Sequence, residues 1–257
     1  MAGPKSVRSE TSKLWIVWQL TVFSALCGTT AFGEVLWDQP PTPGESPAFA
    51  SQAFPDAAQF DAYQFDDFSV QQSYYIRRVS VSGVEVRRSA VEAERGGDAS
   101  AAPQLWADLA AVASEDLAVG GSALYNAGVV GEIWDGLPGS GEGTVVMHSV
   151  SGSEELETAT LELDFDGQTL YPGHYWLTVH VTRPMSAGSQ WFWLSTNQVQ
   201  GSEHYFYNPG GGLGKGTNPI PASQLGWRGG HQKSDMVFTI EGRPTTEENR
   251  PQLLQEY

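Results

Sequence analysis

The amino-acid sequence predicts an all-β fold, a single antiparallel β-sandwich. Apolar and polar residues alternate with a period of two in several segments, which is typical of strands that are buried on one face. Turns rich in glycine and proline separate these segments, and the chain has 29 Gly and 15 Pro in 257 residues. Strands and helices do not alternate along the chain, which excludes a parallel sheet with crossover helices.

The first 33 residues are predicted to be a secretory signal peptide. Three basic residues precede an apolar stretch at 14–26, and small residues follow it up to Gly33. This order is that of a cleaved signal, and we expect cleavage after Gly33. The product is then secreted, either extracellular or periplasmic. An uncleaved signal anchor is the alternative, although 14–32 is barely long enough to span a membrane.

Composition restricts the partners and the chemistry. The formal net charge is −16, and removal of residues 1–33 takes away one acid and three bases, which moves it to −18. Such a charge repels nucleic acid and anionic lipid, so both are excluded as partners. The only cysteine is Cys27, inside the predicted signal peptide, so the mature chain has no thiol chemistry. No later apolar run is long enough to span a membrane.

The segments that follow differ in pattern. Residues 34–58 contain five prolines and are predicted to be a loop segment ahead of a sandwich domain at 59–242. Alternation at 75–84 predicts a strand with Val79 and Val81 on one face. In 90–120 alanine is abundant and apolar residues recur at helical spacing, so a short helix is predicted at 104–113, within an insertion.

Alternation returns after the insertion, and a turn is predicted at 134–139. The further predicted strands are 122–133, 144–150, 158–166, 175–182, 190–195 and 236–241. In 158–166 the apolar and acidic residues occupy opposite faces, and Asp166-Gly167 is predicted to be a turn. The polar residues 243–257 are predicted to be a disordered tail.

Aromatic residues concentrate between Tyr171 and Tyr207, where there are nine in 37 residues. On the predicted strand 190–195, the two tryptophans share one face and Phe192 shares the other with Leu194. Clustered aromatics of this kind either fill a core or stack on a ligand such as a sugar ring. Both interpretations remain open. Under the second, the ligand-binding candidates are Trp176, Trp191, Trp193, Tyr205 and Tyr207.

Acidic residues suggest a metal site. Carboxylates in loop-rich regions are the oxygen ligands that calcium prefers, and the calcium candidates are Asp61, Asp66 and Asp67. The alternative is that these carboxylates accept hydrogen bonds from turn backbone. The sequence contains no EF-hand pattern, and its five histidines lack the spacing of a zinc site.

Hydrolysis is the alternative function. A glycosidase needs two carboxylates that face each other across a cleft. The candidates are Glu154, Glu155, Glu157, Glu162, Asp164 and Asp166, and the last three lie on one face of a predicted strand. Mutual repulsion favours a solvated surface for these three. The sequence lacks a G-x-S-x-G motif. The glycines at 210–216 lack the residue order of a phosphate loop and are predicted to form a flexible loop.

Six motifs, taken in order, resemble an uncharacterised family of secreted jelly-roll-like β-sandwich modules of environmental bacteria, often found with cell-surface sorting signals. They are Leu36-Trp37-Asp38-Gln39, Asp66-Asp67-Phe68-Ser69-Val70, Trp134-Asp135-Gly136-Leu137-Pro138-Gly139, Leu170-Tyr171-Pro172-Gly173-His174-Tyr175-Trp176-Leu177, Gln190-Trp191-Phe192-Trp193 and Asn208-Pro209-Gly210-Gly211-Gly212.

The resemblance implies a jelly-roll-like fold and export, and it carries no established reaction. The chain departs from the family pattern in two ways. Residues 90–120 are predicted to be an insertion, and the C-terminal residues contain no recognisable anchor. We therefore expect an exported, non-catalytic module with a structural or surface-associated role, which binds extracellular polysaccharide or cell-surface components through aromatic side chains. A secreted carbohydrate-active hydrolase remains the alternative.

Overall fold

The computed structural model describes residues 33–42, 47–87, 127–141, 143–153, 160–226 and 233–245. The predicted signal peptide up to Phe32, the helix expected at 104–113 and most of the expected tail lie outside the described residues. All described residues belong to one compact unit that begins at Gly33. They contain no helix long and apolar enough to cross a membrane.

The first of two sheets contains seven strands. Five follow one another in the hydrogen-bonded order β1 (Glu34–Gln39), β14 (Phe238–Pro244), β5 (Tyr74–Arg87), β10 (Ser189–Thr196) and β13 (Asp235–Met236). Two more join this path, β2 (Ala48–Ala50) on β10 and β8 (Thr160–Leu170) on β5. All of these pairs are antiparallel.

The second sheet also has seven strands. Its order is β12 (Ile220–Pro221), β11 (Tyr205–Tyr207), β4 (Tyr63–Val70), β9 (Gly173–Thr182), β6 (Ala127–Trp134) and β7 (Val145–Ser153), with β3 (Gln52–Ala53) on β9. The β3–β9 pair is parallel and the others are antiparallel. The two sheets pack against each other, which confirms the predicted all-β sandwich.

Alternation along the strands places the core between the sheets. On β8, Leu161, Leu163 and Phe165 are fully buried, as their common face predicts. The acids between them, Glu162 and Asp164, point to solvent and pair with Arg78 on β5 at 3.3 and 3.6 Å. Burial of one apolar face on each sheet supplies most of the stabilisation of such a sandwich.

The prediction of a turn at Asp166-Gly167 is wrong, because β8 continues through these two residues to Leu170. The register with β5 shifts at this point, since Ile76 lies opposite Gln168 and Arg78 lies opposite Asp164. Residues 165–167 on β8 therefore face the single residue 77 on β5. Extra residues on one strand form a β-bulge, which uses the same small and turn-forming residues as a hairpin.

The loop expected at 34–58 contains three strands. β1 pairs with β14, β2 with β10 and β3 with β9, so each finds its partner far along the chain. The predicted tail also begins too early, since Arg243 and Pro244 belong to β14 and the backbone N–H of Thr245 donates to Ser73. Short strands between prolines carry too little alternation to be distinguished from loop by sequence.

Candidate functional site

Two of the five aromatic candidates, Trp191 and Trp193 on β10, lie in the core. Their exposed fractions are 2% and 0%, and Phe192 on the opposite face is fully buried as well. The indole N–H of Trp193 donates to the backbone carbonyl of Val237 at 2.7 Å. The centroids of the Trp193 and Phe238 rings are 6.2 Å apart. Neither tryptophan presents a ring face to solvent, so neither can stack on a sugar in this structure.

A glycine on the neighbouring strand makes room for Trp191. Gly83 on β5 lies opposite Trp193 in the register, and a Cβ built on Gly83 would come within 2.4 Å of the Trp191 ring. A methyl group there would also meet the Phe192 carbonyl oxygen at 2.6 Å. The Trp-Phe-Trp segment is thus held by close packing on both faces of β10.

The other three candidates, Trp176, Tyr205 and Tyr207, lie on the second sheet and point away from the core. Their neighbours along the strands, Leu177 and Phe206, belong to the core. Because side chains alternate across a strand, the three rings share the opposite face. Three more rings lie on that face, and we call the six together the outer aromatic face: Tyr63, Phe65, Trp134, Trp176, Tyr205 and Tyr207.

The rings of the outer aromatic face form two contacting groups. Trp176 and Tyr205 meet edge to face at 5.4 Å. In the second group, the ring centroid of Phe65 lies 6.5 Å from that of Trp134 and 6.2 Å from that of Tyr207. The ring centroids of Tyr207 and Tyr63 are 6.3 Å apart. The register joins the groups, since Trp134 lies opposite Trp176 on the neighbouring strand. Trp134 and the three tyrosines are partly exposed, whereas Trp176 and Phe65 are buried beneath their neighbours at 7% and 3% exposure, so the aromatic surface at the outside of the sandwich comes from Trp134 and the tyrosines.

Polar side chains lie among these rings. The indole N–H of Trp134 donates to Glu132 at 3.1 Å, and His148 lies 4.0 Å from the same carboxylate. Further along, His174 contacts Asp67 at 2.6 Å, and its ring meets Trp176 edge to face at 5.6 Å. Hydrogen-bonding groups beside flat apolar rings are what a ligand with both hydroxyl groups and apolar faces requires.

Two polar side chains in the middle of β9, Thr178 and His180, are buried and each has an atom without a hydrogen-bond partner within the described ranges. Thr178 and His180 are 1% and 8% exposed, and neither Thr178 Oγ1 nor His180 Nδ1 has a hydrogen-bond partner among the described residues. The ring of Tyr63 lies edge-on to that of His180 at 4.8 Å. Burial, with a smaller contribution from His148, lowers the pKa of His180 to about 4, so its imidazole is neutral at neutral pH.

The structure does not bring the three calcium candidates together. Asp61 precedes β4, where it accepts hydrogen bonds from the Phe54 backbone at 2.6 Å and the Tyr63 hydroxyl at 3.2 Å. Asp66 and Asp67 are consecutive on β4 and point to opposite faces of the sheet. The described residues contain no group of three or more His, Cys, Asp or Glu side chains that could hold a metal ion.

Asp66 points inward and meets a second buried carboxylate. It accepts hydrogen bonds from the backbone of Met236 and Asp67 and from the amide of Gln39. Burial and the nearby charge of Asp235 raise the pKa of Asp66 well above its usual value. Burial likewise raises the pKa of Asp235 to about 7. Asp66 thus accepts hydrogen bonds from backbone N–H groups, which is the alternative that the sequence left open to calcium ligation.

Asp67 points outward and holds a loop. The backbone N–H of Ser202 donates to its carboxylate at 2.8 Å, while His174 contacts the other oxygen. A Cβ on Gly201 would approach that oxygen to 2.6 Å, so this glycine allows the loop to close on the aspartate. The loop leads directly into β11, which carries Tyr205 and Tyr207. Asp67 thereby positions part of the outer aromatic face.

The glycine run is packed against the chain. The backbone N–H of Gly212 and the side-chain amide of Asn208 both donate to the carbonyl of Gln59, at 2.8 and 2.9 Å. A Cβ at Gly210 or Gly212 would lie within 2.5 Å of Gln59 backbone atoms. These glycines are needed for a close backbone approach beside β11 rather than for binding a phosphate.

Among the carboxylates considered for hydrolysis, the two whose side chains the structure describes do not face each other across a cleft. Glu162 and Asp164 are exposed on β8 and pair with Arg78. Glu132, by contrast, lies on the outer aromatic face and was not a sequence candidate, nor were Tyr63, Phe65, Trp134 and Thr178. Alternation on β4 would have indicated the first two aromatics, had that strand been recognised.

No protein-family model matches the chain, and no curated protein matches it either. Function is therefore inferred from the geometry of the described residues.

Proposed function

We propose that the chain is an exported, non-catalytic β-sandwich module that binds an extracellular polysaccharide on its outer aromatic face. The observation that carries the proposal is the position of Trp176, Tyr205 and Tyr207. They share one face of the second sheet with three further rings and with the polar groups of Glu132 and His148. A sugar ring has an apolar face that stacks on an aromatic ring and a rim of hydroxyls that hydrogen-bond polar groups.

The flat geometry of a sheet suits an extended polymer. Side chains two residues apart on a strand are about 7 Å apart, and neighbouring strands are about 4.8 Å apart. The rings of β4, β6, β9 and β11 therefore form a surface that several sugar units can contact at once. Many weak contacts along a polymer add through effective concentration, so modest affinity for each unit is sufficient.

The test is a binding measurement on the purified chain with a panel of soluble polysaccharides, by affinity gel electrophoresis and calorimetry. We expect Trp176→Ala and Tyr205→Ala each to weaken binding about tenfold or more, which corresponds to about 1.4 kcal/mol. Circular dichroism and thermal unfolding would establish that each variant is folded. Tyr205→Ala is the safer variant, because Tyr205 is only partly buried.

Tyr171→Ala is the matched control. Tyr171 is the most exposed of the large hydrophobic side chains in the described part of the chain, yet it lies outside the outer aromatic face. We expect its replacement to leave binding unchanged. Retention by no polysaccharide, or full affinity in folded Trp176→Ala and Tyr205→Ala, would contradict the proposal.

A further inference from the structure

The outer face of β9 contains an unsatisfied polar pair, Thr178 and His180. Both side chains are more than nine-tenths buried, and Thr178 Oγ1 and His180 Nδ1 have no hydrogen-bond partner in the described part of the chain. Most buried polar atoms in proteins are paired, and leaving one unpaired destabilises the folded state. Six further buried side-chain atoms in the described part of the chain also lack a partner, but Thr178 and His180 are distinguished by their consecutive outward positions on the strand face that carries the aromatic rings, where a bound ligand could supply the missing hydrogen bonds.

The polar neighbours of this pair are satisfied within the protein. On the same strand face, His174 is bound to Asp67, and across the sheet Glu132 accepts the indole N–H of Trp134. Thr178 lies opposite Glu132 in the register. On this face, the two unpaired atoms thus lie in the middle of β9, beside groups that already have hydrogen-bond partners.

Aromatic rings lie at both ends of the pair. Trp176 precedes Thr178 by two residues on the same face of β9, and Tyr63 lies edge-on to His180 at 4.8 Å. A ligand ring that lies on either aromatic would bring its rim close to Thr178 or His180. Both atoms are covered in the free chain, so a rotation of neighbouring side chains must expose them, as is common on binding.

We infer that Thr178 and His180 form the polar subsite of the proposed polysaccharide site, where they hydrogen-bond the hydroxyls of a neutral sugar. This inference rests on the proposed function. A threonine hydroxyl can donate and accept, and a neutral imidazole has one donor and one acceptor nitrogen, which match a sugar hydroxyl. The nearby carboxylates of Glu132, Asp61 and Asp67 disfavour uronic acid, sulfate or phosphate groups on the ligand.

The decisive variant is Thr178→Val, which keeps the shape of the side chain and removes its hydroxyl. We expect affinity for a neutral polysaccharide to fall about tenfold while the melting temperature stays the same or rises, because an unpaired buried hydroxyl is removed. Thr239→Val on β14 is the matched control. Its hydroxyl donates to Asp38 at 2.9 Å in the other sheet, so binding should not change.

His180→Phe provides a second variant, since it keeps an aromatic ring beside Tyr63 and removes both nitrogens. We expect a similar loss of affinity with the fold retained. Binding should also be at least tenfold weaker for polygalacturonate or a sulfated galactan than for neutral β-glucan, xylan or galactan at equal concentration.

The outcomes separate the two proposals. If Trp176→Ala and Tyr205→Ala weaken binding and Thr178→Val does not, the assignment of the polar subsite is wrong and the proposed function is retained. A marked loss of stability in Thr178→Val would show that the hydroxyl is already satisfied within the fold, which also overturns the subsite. Preference for the anionic polymers contradicts the neutral ligand class, and absence of all binding overturns both proposals.

Discussion

Strand β10 and the outer aromatic face contain the same residue types in opposite settings. Trp191 and Trp193 are enclosed on β10, where one indole N–H is bound by a backbone carbonyl and a glycine accommodates the other ring. On the outer aromatic face, Trp134 and the tyrosines remain partly exposed and lie among carboxylates and histidines. Aromatic content therefore does not distinguish a core strand from a partly exposed sheet face, whereas the exposure of the rings and the polar groups around them do.

The largest expected effect belongs to the core side of this comparison. Trp193→Ala removes a fully buried indole together with its hydrogen bond to the Val237 carbonyl, so we expect a loss of about 3–5 kcal/mol in the free energy of unfolding. Tyr205→Ala, on the outer aromatic face, should cost about 1 kcal/mol because its ring is only half-buried. Urea denaturation measures both. Equal losses would mean that the two regions do not differ in packing.

A glycine pair tests the same contrast through the backbone. Gly83→Ala places a methyl group against the Trp191 ring and the Phe192 carbonyl, and we expect a loss of about 1–3 kcal/mol or more. Gly128→Ala on β6 is the control, because its nearest neighbour would be Thr182 at 3.8 Å. That variant should be neutral or slightly stabilising. The idea of tight packing around Trp191 fails if thermal unfolding shows Gly83→Ala to be equally tolerated.

Buried and exposed carboxylates should respond differently to pH. Asp235 binds its proton more tightly in the folded chain, with a pKa of about 7, than in the unfolded chain, where the value is 3.8. Its contribution to stability is therefore greatest below about pH 4 and is lost as pH rises through 7. Asp235→Asn removes the buried charge and keeps an oxygen that can accept from the Gln200 backbone.

We expect Asp235→Asn to raise the free energy of unfolding by about 1–3 kcal/mol at pH 8 and to leave it nearly unchanged at pH 4. Chemical denaturation at the two pH values measures the difference. Glu162→Gln, at an exposed carboxylate on β8, is the control for the loss of one formal charge, and it should change the free energy of unfolding by no more than about 0.5–1 kcal/mol. Destabilisation of Asp235→Asn at pH 8 would contradict the assignment of an uncompensated buried charge.

The smallest effect is expected at the solvated face of β8. Arg78→Ala removes ion pairs with Glu162 and Asp164, but all three side chains are well exposed. Water already solvates such charges, so the change should be within about 0.5–1 kcal/mol. A loss comparable with that of Trp193→Ala in the same denaturation assay would show that this surface contributes to the fold as much as the core does.

Regular strands could be predicted from the sequence because their own alternation determines which face is buried. β8 and β9 show this, since Leu161, Leu163, Leu177 and Val179 are all in the core. β1, β2 and β3 could not be recognised, because a strand of two to six residues is defined by its partner, and these partners lie far along the chain. Asp166-Gly167 shows a related limit, since a bulge and a hairpin turn use the same residues.

The candidate site was only partly predictable for a similar reason. Trp176, Tyr205 and Tyr207 were found by their clustering, but Trp191 and Trp193 satisfied the same criterion. Whether a ring on a strand is covered depends on which elements pack over it. That packing belongs to the tertiary structure and cannot be read from the pattern of one strand. Thr178 was missed because an isolated threonine carries no signal until its lack of a hydrogen-bond partner is known.

The pairing of β1 with β14 has a consequence for the order of folding. Glu34, at the start of the described chain, lies opposite Gly242, close to its end. The edge of the first sheet therefore cannot close until the segment that contains β14, about 200 residues after β1, has been synthesised. Contacts between such distant segments are slow to form. Until they do, β1 and the edge of β14 that it covers expose unpaired backbone, and a folding chaperone that shields this edge would raise the yield of native protein.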